Sequence, residues 1–258
     1  MIIVGTSGWQ YDSWKGRFYP KDLPKSAWLN FFSREFASVE VNNSFYRLPP
    51  REVFEKWRRE SSPGFVMVVK ASRFITHIKR LKDPAEPVKM FWERAEGLGD
   101  KLGPVLFQLP PKFAADVDRL QAFLDVLPEQ MQAAFEFRDR TWDTDDVRTM
   151  LDHAGAAWVL ADRPGWRVPL HVTGGWSYIR FHQGRGTSPF YPRRKLATWA
   201  DRIAELPSRA TWIYFNNDPQ GAAIRDARMM IELLTERGAD VAPSPGVTSS
   251  SRGAAALP

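Results

Sequence analysis

The sequence predicts an α/β chain folded as a single parallel (β/α)8 barrel. Three observations predict it. Short apolar strand-like runs alternate with amphipathic helical runs along the chain. The 258 residues are the ordinary size of one such barrel. The strands also share a punctuation, closing one after another on a charged or amide residue: SVEVNN (38–43), VMVVKA (66–71), VLFQLP (105–110), AAFEFR (133–138), YIRFH (178–182) and WIYFNND (212–218).

Side chains of a strand alternate between its two faces, so each run divides by parity. One parity is oily: Val39 and Val41, Met67 and Val69, Val105 and Phe107, Phe135 and Phe137, Ile179 and Phe181, Ile213 and Phe215. The other carries Glu40 and Asn42, Lys70, Gln108, Glu136 and Arg138, Arg180 and His182, then Tyr214 and Asn216. A sheet face turned to water would also be polar, but it would not keep its charges for the C-terminal ends of successive strands. A parallel barrel does so, because its functional groups collect around one mouth.

Taken in order, strands are expected near 2–5, 37–42, 65–70, 104–108, 132–137, 157–161, 176–182 and 210–216. Helical periodicity is expected near 24–34, 50–60, 86–98, 116–127, 144–154, 194–205 and 219–236. The Gly- and Pro-rich segment 162–175 lacks helical period and predicts an irregular connection after strand six. No Gly-x-Gly-x-x-Gly turn follows the first strand, which argues against an open dinucleotide-binding sheet. The barrel is therefore expected over 1–237. From 238 to 258 the chain turns rich in Ser, Ala, Pro and Gly, and a loosely attached or disordered tail is expected.

Composition narrows the chemistry. The chain has no cysteine, which excludes disulfides, thiolate metal sites and a cysteine nucleophile. It has no run of about 18 apolar residues and no signal-peptide pattern, so no membrane partner and a cytoplasmic location are expected. The net charge of +6 fits anionic partners. The basic clusters KWRRE (56–60) and PRRK (192–195) sit in helical runs beside acids and read as solvated helix faces. No feature of the sequence speaks to oligomeric state.

Candidate site residues follow from the polar parity. Glu40 and Glu136 are the carboxylates placed to divide acid and base roles across one cleft. Arg138 and Arg180 offer planar forks for carboxylate or phosphate oxygens. Lys70 is a lone ammonium at the end of strand three; an ion pair with Glu40 is its simplest account, with a phosphate grip or a Schiff base as chemical alternatives. His182 is the histidine at a strand end and the candidate for proton transfer near neutral pH. Asn42, Gln108 and Asn216 are expected to orient a substrate, and Asp218, followed by Pro219, to cap the last helix. In GTSGWQYDSWKG (5–16), Gly5 and Gly8 permit a tight backbone path, Ser7 and Tyr11 bring hydroxyls to the mouth, and Trp9 and Trp14 pack over the barrel. The Gly-rich, basic loop 183–192 follows strand seven, where barrels often hold phosphate. No cofactor is expected; a divalent metal is a minor alternative, since metal-dependent nuclease barrels need several histidines and only one ends a strand here.

Six ordered motifs, GTSGWQY (5–11), VEVNNSFYR (39–47), LFQLPP (106–111), FEFRDRTW (135–142), RFH (180–182) and YFNND (214–218), resemble the YecE-like family, the domain of unknown function 72 proteins. The resemblance runs from residue 2 to about 236. It implies a TIM-type barrel, distantly similar in shape to the endonuclease IV and xylose isomerase barrels. Tyr46 and Trp142, which lie within these motifs, are also among the expected substrate-binding residues. It implies no particular activity. Gln183 stands where the family usually has glycine, and the C-terminal tail is expected to lie outside the family pattern.

These readings converge on an enzyme with a mixed-charge pocket at the C-terminal mouth. The expected chemistry is hydrolytic or otherwise acid–base, on a small anionic ligand that is phosphate-bearing or nucleotide-like. Two rivals use the same features: a nucleic-acid-binding, repair-nuclease-like protein, and a non-catalytic small-molecule binder.

Overall fold

The computed structural model describes residues 1–165, 169–182 and 188–246. Eight parallel strands close into a barrel in chain order: β1 (Ile2–Ser7), β2 (Ser38–Val41), β3 (Val66–Lys70), β4 (Leu102–Gln108), β5 (Ala133–Glu136), β6 (Ala157–Asp162), β7 (Ser177–Phe181) and β8 (Thr211–Phe215). β8 pairs back onto β1, which closes the ring. The helices are α1 (Trp28–Glu35), a short α2 (Asn43–Tyr46), α3 (Arg51–Glu60), α4 (Ala85–Ala95), α5 (Val117–Leu124), α6 (Asp145–His153), α7 (Arg193–Ala204) and α8 (Ala222–Glu236). Among the described residues no helix separates β6 from β7, as the composition of 162–175 predicts. The fold is a TIM-type (β/α)8 barrel.

The two parities of each strand go where the pattern assigns them. Val39, Val69, Phe107, Phe135, Ile179 and Phe215 face outward into one apolar layer with helix residues such as Phe32, Leu120, Trp199 and Met230. The opposite parity fills the barrel, and its lower half is apolar, with Ile3, Val68, Leu106, Ala134 and Trp212 packed together. Only the upper inner positions are charged, which puts the mouth at the C-terminal strand ends. The basic clusters lie on the helical layer, where Arg58 pairs with Asp100 and Arg193 with Glu232 and Glu236, as expected of solvated helix faces.

Two glycines are demanded by the backbone. A Cβ at Gly5 would sit 2.1 Å from the Ser38 carbonyl oxygen, so the close β1–β2 approach admits no side chain there. Gly8 adopts a φ of 88°, in the left-handed region, and turns the chain over the mouth.

The start of the C-terminal tail is bonded to the barrel, which departs from the expectation for 238–258. β2 begins pairing with β1 only at Gly5, leaving one side of Ile2 open. Residues 240–242 fill it: Ile2 N donates to Asp240 O at 2.7 Å, and Ala242 N donates to Ile2 O at 2.8 Å. Ser244 Oγ and Gly246 N then donate to Glu35 O and Arg34 O at the end of α1. Residues 247–258 lie outside the described residues. Among the described residues, no helix is long and apolar enough to cross a membrane.

Candidate active site at the barrel mouth

Arg180, on the inner face of β7, is the centre of the site and is 1% exposed. Its Nη2 donates to Glu40 Oε1 at 2.6 Å and its Nη1 to Glu136 Oε2 at 2.5 Å, so one guanidinium joins β2 to β5 across the barrel. Glu40 also accepts from Ser7 Oγ at 2.5 Å and from Tyr178 Oη at 2.6 Å. Glu136 is gripped from above by Arg138, whose Nε and Nη2 both lie 2.8 Å from Oε1. His182 Nε2 lies 3.2 Å from the same oxygen without hydrogen-bond alignment, and its Nδ1 is 3.2 Å from Asn216 Nδ2. Lys70 Nζ donates to Gln108 Oε1 at 2.7 Å and lies 4.0 Å over the Phe45 ring.

Burial alone would push the carboxyls of Glu40 and Glu136 up. Burial is the largest single influence on each, and it is outweighed only by the Arg180 charge acting together with Ser7 and Tyr178 at Glu40 and with His182 and Arg138 at Glu136. Both carboxyls end below the usual range, Glu136 well below. Burial also works against the charge of Arg180, but its two glutamates raise it overall. Burial lowers His182 despite the neighbouring Glu136, which keeps the imidazole neutral near pH 7. Burial and the Arg180 charge bring Lys70 down to about 8.

These states correct two expected roles. Glu40 and Glu136 are brought together, but as ionised partners of Arg180; neither holds a proton that a general acid could give. Lys70 forms no ion pair with Glu40, whose oxygens are taken by Arg180, Ser7 and Tyr178.

Other expected residues divide. Ser7, Gln108 and Asn216 join the network, while Tyr11 donates to Ser7 O at 2.7 Å at the rim. Asn42 closes β2 with its Oδ1 buried and without a hydrogen-bond partner. Tyr46 is 74% exposed on α2 and touches Phe45 edge-on, beside the network and not in it. Trp142 is fully buried in the outer layer: it stacks on Phe137 and its Nε1 donates to Phe113 O at 2.6 Å, so it holds the β5 loop and is turned away from the network around Arg180. Trp9 and Trp14 are buried, as expected of a turn packed over the barrel. Asp218 makes no side-chain cap; instead its carbonyl accepts from Trp14 Nε1 at 3.4 Å. Of the loop 183–192, residues 183–187 lie outside the described residues, Gln183 among them.

The sequence reading missed four contributors. Tyr178 shares the parity of Arg180, two residues upstream, and could have been read from that alone. Phe45 covers the Lys70 ammonium. Asn217 and Asp226 fasten the segment that leads from the mouth into α7: Asp226 Oδ2 accepts from Tyr191 N and Asn217 Nδ2, both at 2.8 Å, and Asn217 Nδ2 also donates to Pro189 O. A lone acid on the apolar face of α8 was the available signal for Asp226. His77, in the turn after β3, is held near pH 4 by burial and by the cations Lys70, Arg73, Arg138 and Arg80. Among the described residues no three histidine, aspartate or glutamate side chains converge to hold a metal ion.

The family model for "Protein of unknown function DUF72" matches residues 3–249. The chain belongs to the DUF72 family. The match passes residue 238, so the first part of the tail falls inside the family pattern, contrary to expectation. The DUF72 chain is 27% identical over 282 residues to the UPF0759 protein YunF of Bacillus subtilis, covering 94% of this chain and 98% of YunF. It is 29% identical to the UPF0759 protein YecE of Escherichia coli K12 over 139 residues, 54% of this chain and 48% of YecE. A crystal structure of a DUF72 family protein from Thermotoga maritima superposes with a TM-score of 0.81 at 28% identity, covering 91% of this chain and 99% of that one. SacUVDE, at 7% identity and a TM-score of 0.52 over 83% of this chain and 86% of its own, shares the barrel fold alone. In this DUF72 chain the six motifs converge on one place. They supply Ser7 and Tyr11, Glu40 and Phe45, Gln108, Glu136 and Arg138, Arg180 and His182, and Asn216 and Asn217.

Proposed function

We propose that the barrel mouth binds a small anionic substrate, phosphate-bearing or nucleotide-like, and carries out hydrolytic or other acid–base chemistry on it. One observation carries this reading. Burial and, after it, the four cations Lys70, Arg73, Arg138 and Arg80 hold His77 near pH 4, while Glu40 and Glu136 are matched by Arg180 and Arg138 together. With those two acids matched, Lys70, Arg73 and Arg80 leave an excess of positive charge near His77, which favours an anion. Arg138, 24% exposed at its side chain, is the cation of the network most open to a ligand oxygen. His182, neutral near pH 7 and with Nε2 3.2 Å from Glu136 Oε1, is the group placed to move a proton. In this reading Glu136 orients His182, Glu40 anchors Arg180, and Gln108 and Asn216 direct the substrate. A cytoplasmic setting is part of the proposal, motivated by the lack of a signal-peptide pattern and of a long apolar run in the sequence.

Calorimetric titration with inorganic phosphate and with phosphate monoesters tests it, with His77 as an internal reporter. Phosphate should bind, bind about tenfold more weakly to Arg138→Gln, and raise the His77 imidazole titration seen by NMR. Hydrolysis of p-nitrophenyl phosphate that is lost in His182→Ala would support the catalytic half. Absence of phosphate and monoester binding by the folded wild type would sink the reading. Oligonucleotide binding that weakens steeply with salt would favour the nucleic-acid reading instead, and tight binding with no turnover would favour a non-catalytic binder.

A further inference from the structure

Two lysines of this chain are equally buried and differently satisfied. Lys70 and Lys101 are each 8% exposed. Lys101 is a structural ammonium: its Nζ donates to Arg58 O at 2.8 Å, Ser61 O at 2.7 Å and Ser61 Oγ at 2.9 Å, which uses all three N–H bonds. Lys70 has one hydrogen-bond acceptor among the described residues, the uncharged Gln108 amide, and an aromatic ring on another side. The nearby carboxylates are committed to Arg180 and Arg138. Lys70 is therefore a buried amine at a C-terminal strand end with no carboxylate in ion-pair contact: Glu40 and Glu136 favour its charge from further off, but burial and Arg180 outweigh them.

We propose that Lys70 is a nucleophilic amine that forms a Schiff base with a carbonyl-bearing anionic substrate. In the step, the Nζ lone pair attacks the carbonyl carbon and a C–N bond forms. The C–O bond then breaks, and the oxygen leaves as water with the two amine hydrogens. The imine nitrogen takes one proton from solvent to become an iminium, so nothing is oxidised or reduced. The amine needs to be neutral to attack, and a site that brings it to about 8 supplies that form near physiological pH. The anionic half of the substrate rests on the function proposed above; the covalent step stands on the lysine alone.

The experiment is reductive trapping on the full chain with cyanoborohydride and two aldehydes, glyoxylate as the anionic probe and propionaldehyde as the neutral one, followed by peptide mapping. Lys70 should be alkylated about tenfold or more faster than any exposed lysine at pH 8, its rate should fall as the pH drops through 7, and Lys101 should stay unmodified. Lys70→Arg, a cation that cannot form an imine, should lose the fast adduct while keeping the wild-type circular dichroism. If Lys70 reacts no faster than the surface lysines with either aldehyde, the covalent proposal is overturned, whatever the phosphate titration shows. If both aldehydes label Lys70 equally and inorganic phosphate does not protect it, the anion reading fails and the nucleophilic lysine stands. Protection by phosphate together with a preference for glyoxylate supports both.

Discussion

Arg180 Nη1 donates to Glu136 Oε2 at 2.5 Å in a part of the barrel closed to solvent, the arginine being 1% exposed and the glutamate 0%. The same guanidinium serves Glu40, so one buried positive charge is shared by two buried negative ones, and Arg138 supplies the second at Glu136. Such an arrangement contributes little net stability when intact and costs a great deal when broken, because the desolvation of each ion has already been met.

Replacing Arg180 by Met should therefore destabilise the fold by about 3–5 kcal/mol, since it strands the buried Glu40 carboxylate and leaves Glu136 to Arg138 alone. Urea unfolding measures it. The triple change Glu40→Gln, Glu136→Gln, Arg180→Met should recover part of that loss, because the charges would leave together. A single Arg180→Met variant within about 1 kcal/mol of wild type would contradict the compensation.

The acid limb of stability follows from the depressed glutamates. In the unfolded chain both carboxyls titrate near 4.5, and in the fold both lie lower. Their contribution is fully present above about pH 4.5 and is lost as the pH falls through the folded values. Denaturation series between pH 7 and pH 3 should show wild-type stability declining below that point. Glu136→Gln should start less stable and decline less steeply. Parallel acid limbs in the two proteins would rule out Glu136 as a source of the slope.

Lys70 has the opposite linkage. Its folded value of about 8 lies under the unfolded 10.5, so the fold disfavours the ammonium, and stability is gained as the pH rises between the two values. Lys70→Met should be more stable than wild type at pH 7 by about 1–3 kcal/mol. That advantage should shrink between pH 8 and 10.5, and phosphate binding should weaken. Thermal melts across this window check the sign. A Met variant less stable than wild type at pH 7 would mean that the Gln108 hydrogen bond and the Phe45 contact outweigh the burial of the charge.

Asp226 is fully buried beneath the segment it fastens, and burial pushes its carboxyl up even though Tyr191, Asn217 and Arg225 favour the ion. Asp226→Ala leaves the buried Tyr191 N–H without an acceptor, which should cost about 1–3 kcal/mol. Hydrogen exchange should quicken at Tyr191 ahead of the barrel strands. Unchanged protection at Tyr191 would place the fastening elsewhere.

The architecture and the membership of the site were legible in local pattern, because strand alternation is a purely sequential property. Glu40, Lys70, Gln108, Glu136, Arg180 and His182 were each assigned to the inner, upper face by parity, and each is found there. Tyr178 obeyed the same rule and was passed over only because a tyrosine can pack as readily as it can donate. Trp142 failed because an aromatic in a loop after a strand can turn toward a ligand or back into the helical layer, and the Phe113 carbonyl that claims its indole lies in another loop. Asp218 failed for a similar reason: a capping sequence states what a side chain could bond, while the position of Trp14 decides how that turn is fixed.

By itself, then, the sequence determined the barrel, its polar end and the residues gathered there, since these depend on a period of two repeated strand after strand. Charge state and role were decided only by the tertiary structure. A pKa reflects the distance to groups far away in the chain: Arg180 lies 140 residues from Glu40 and 44 from Glu136. Their convergence makes the glutamates fixed ions and leaves Lys70 without an ion-pair partner, while burial holds His182 neutral.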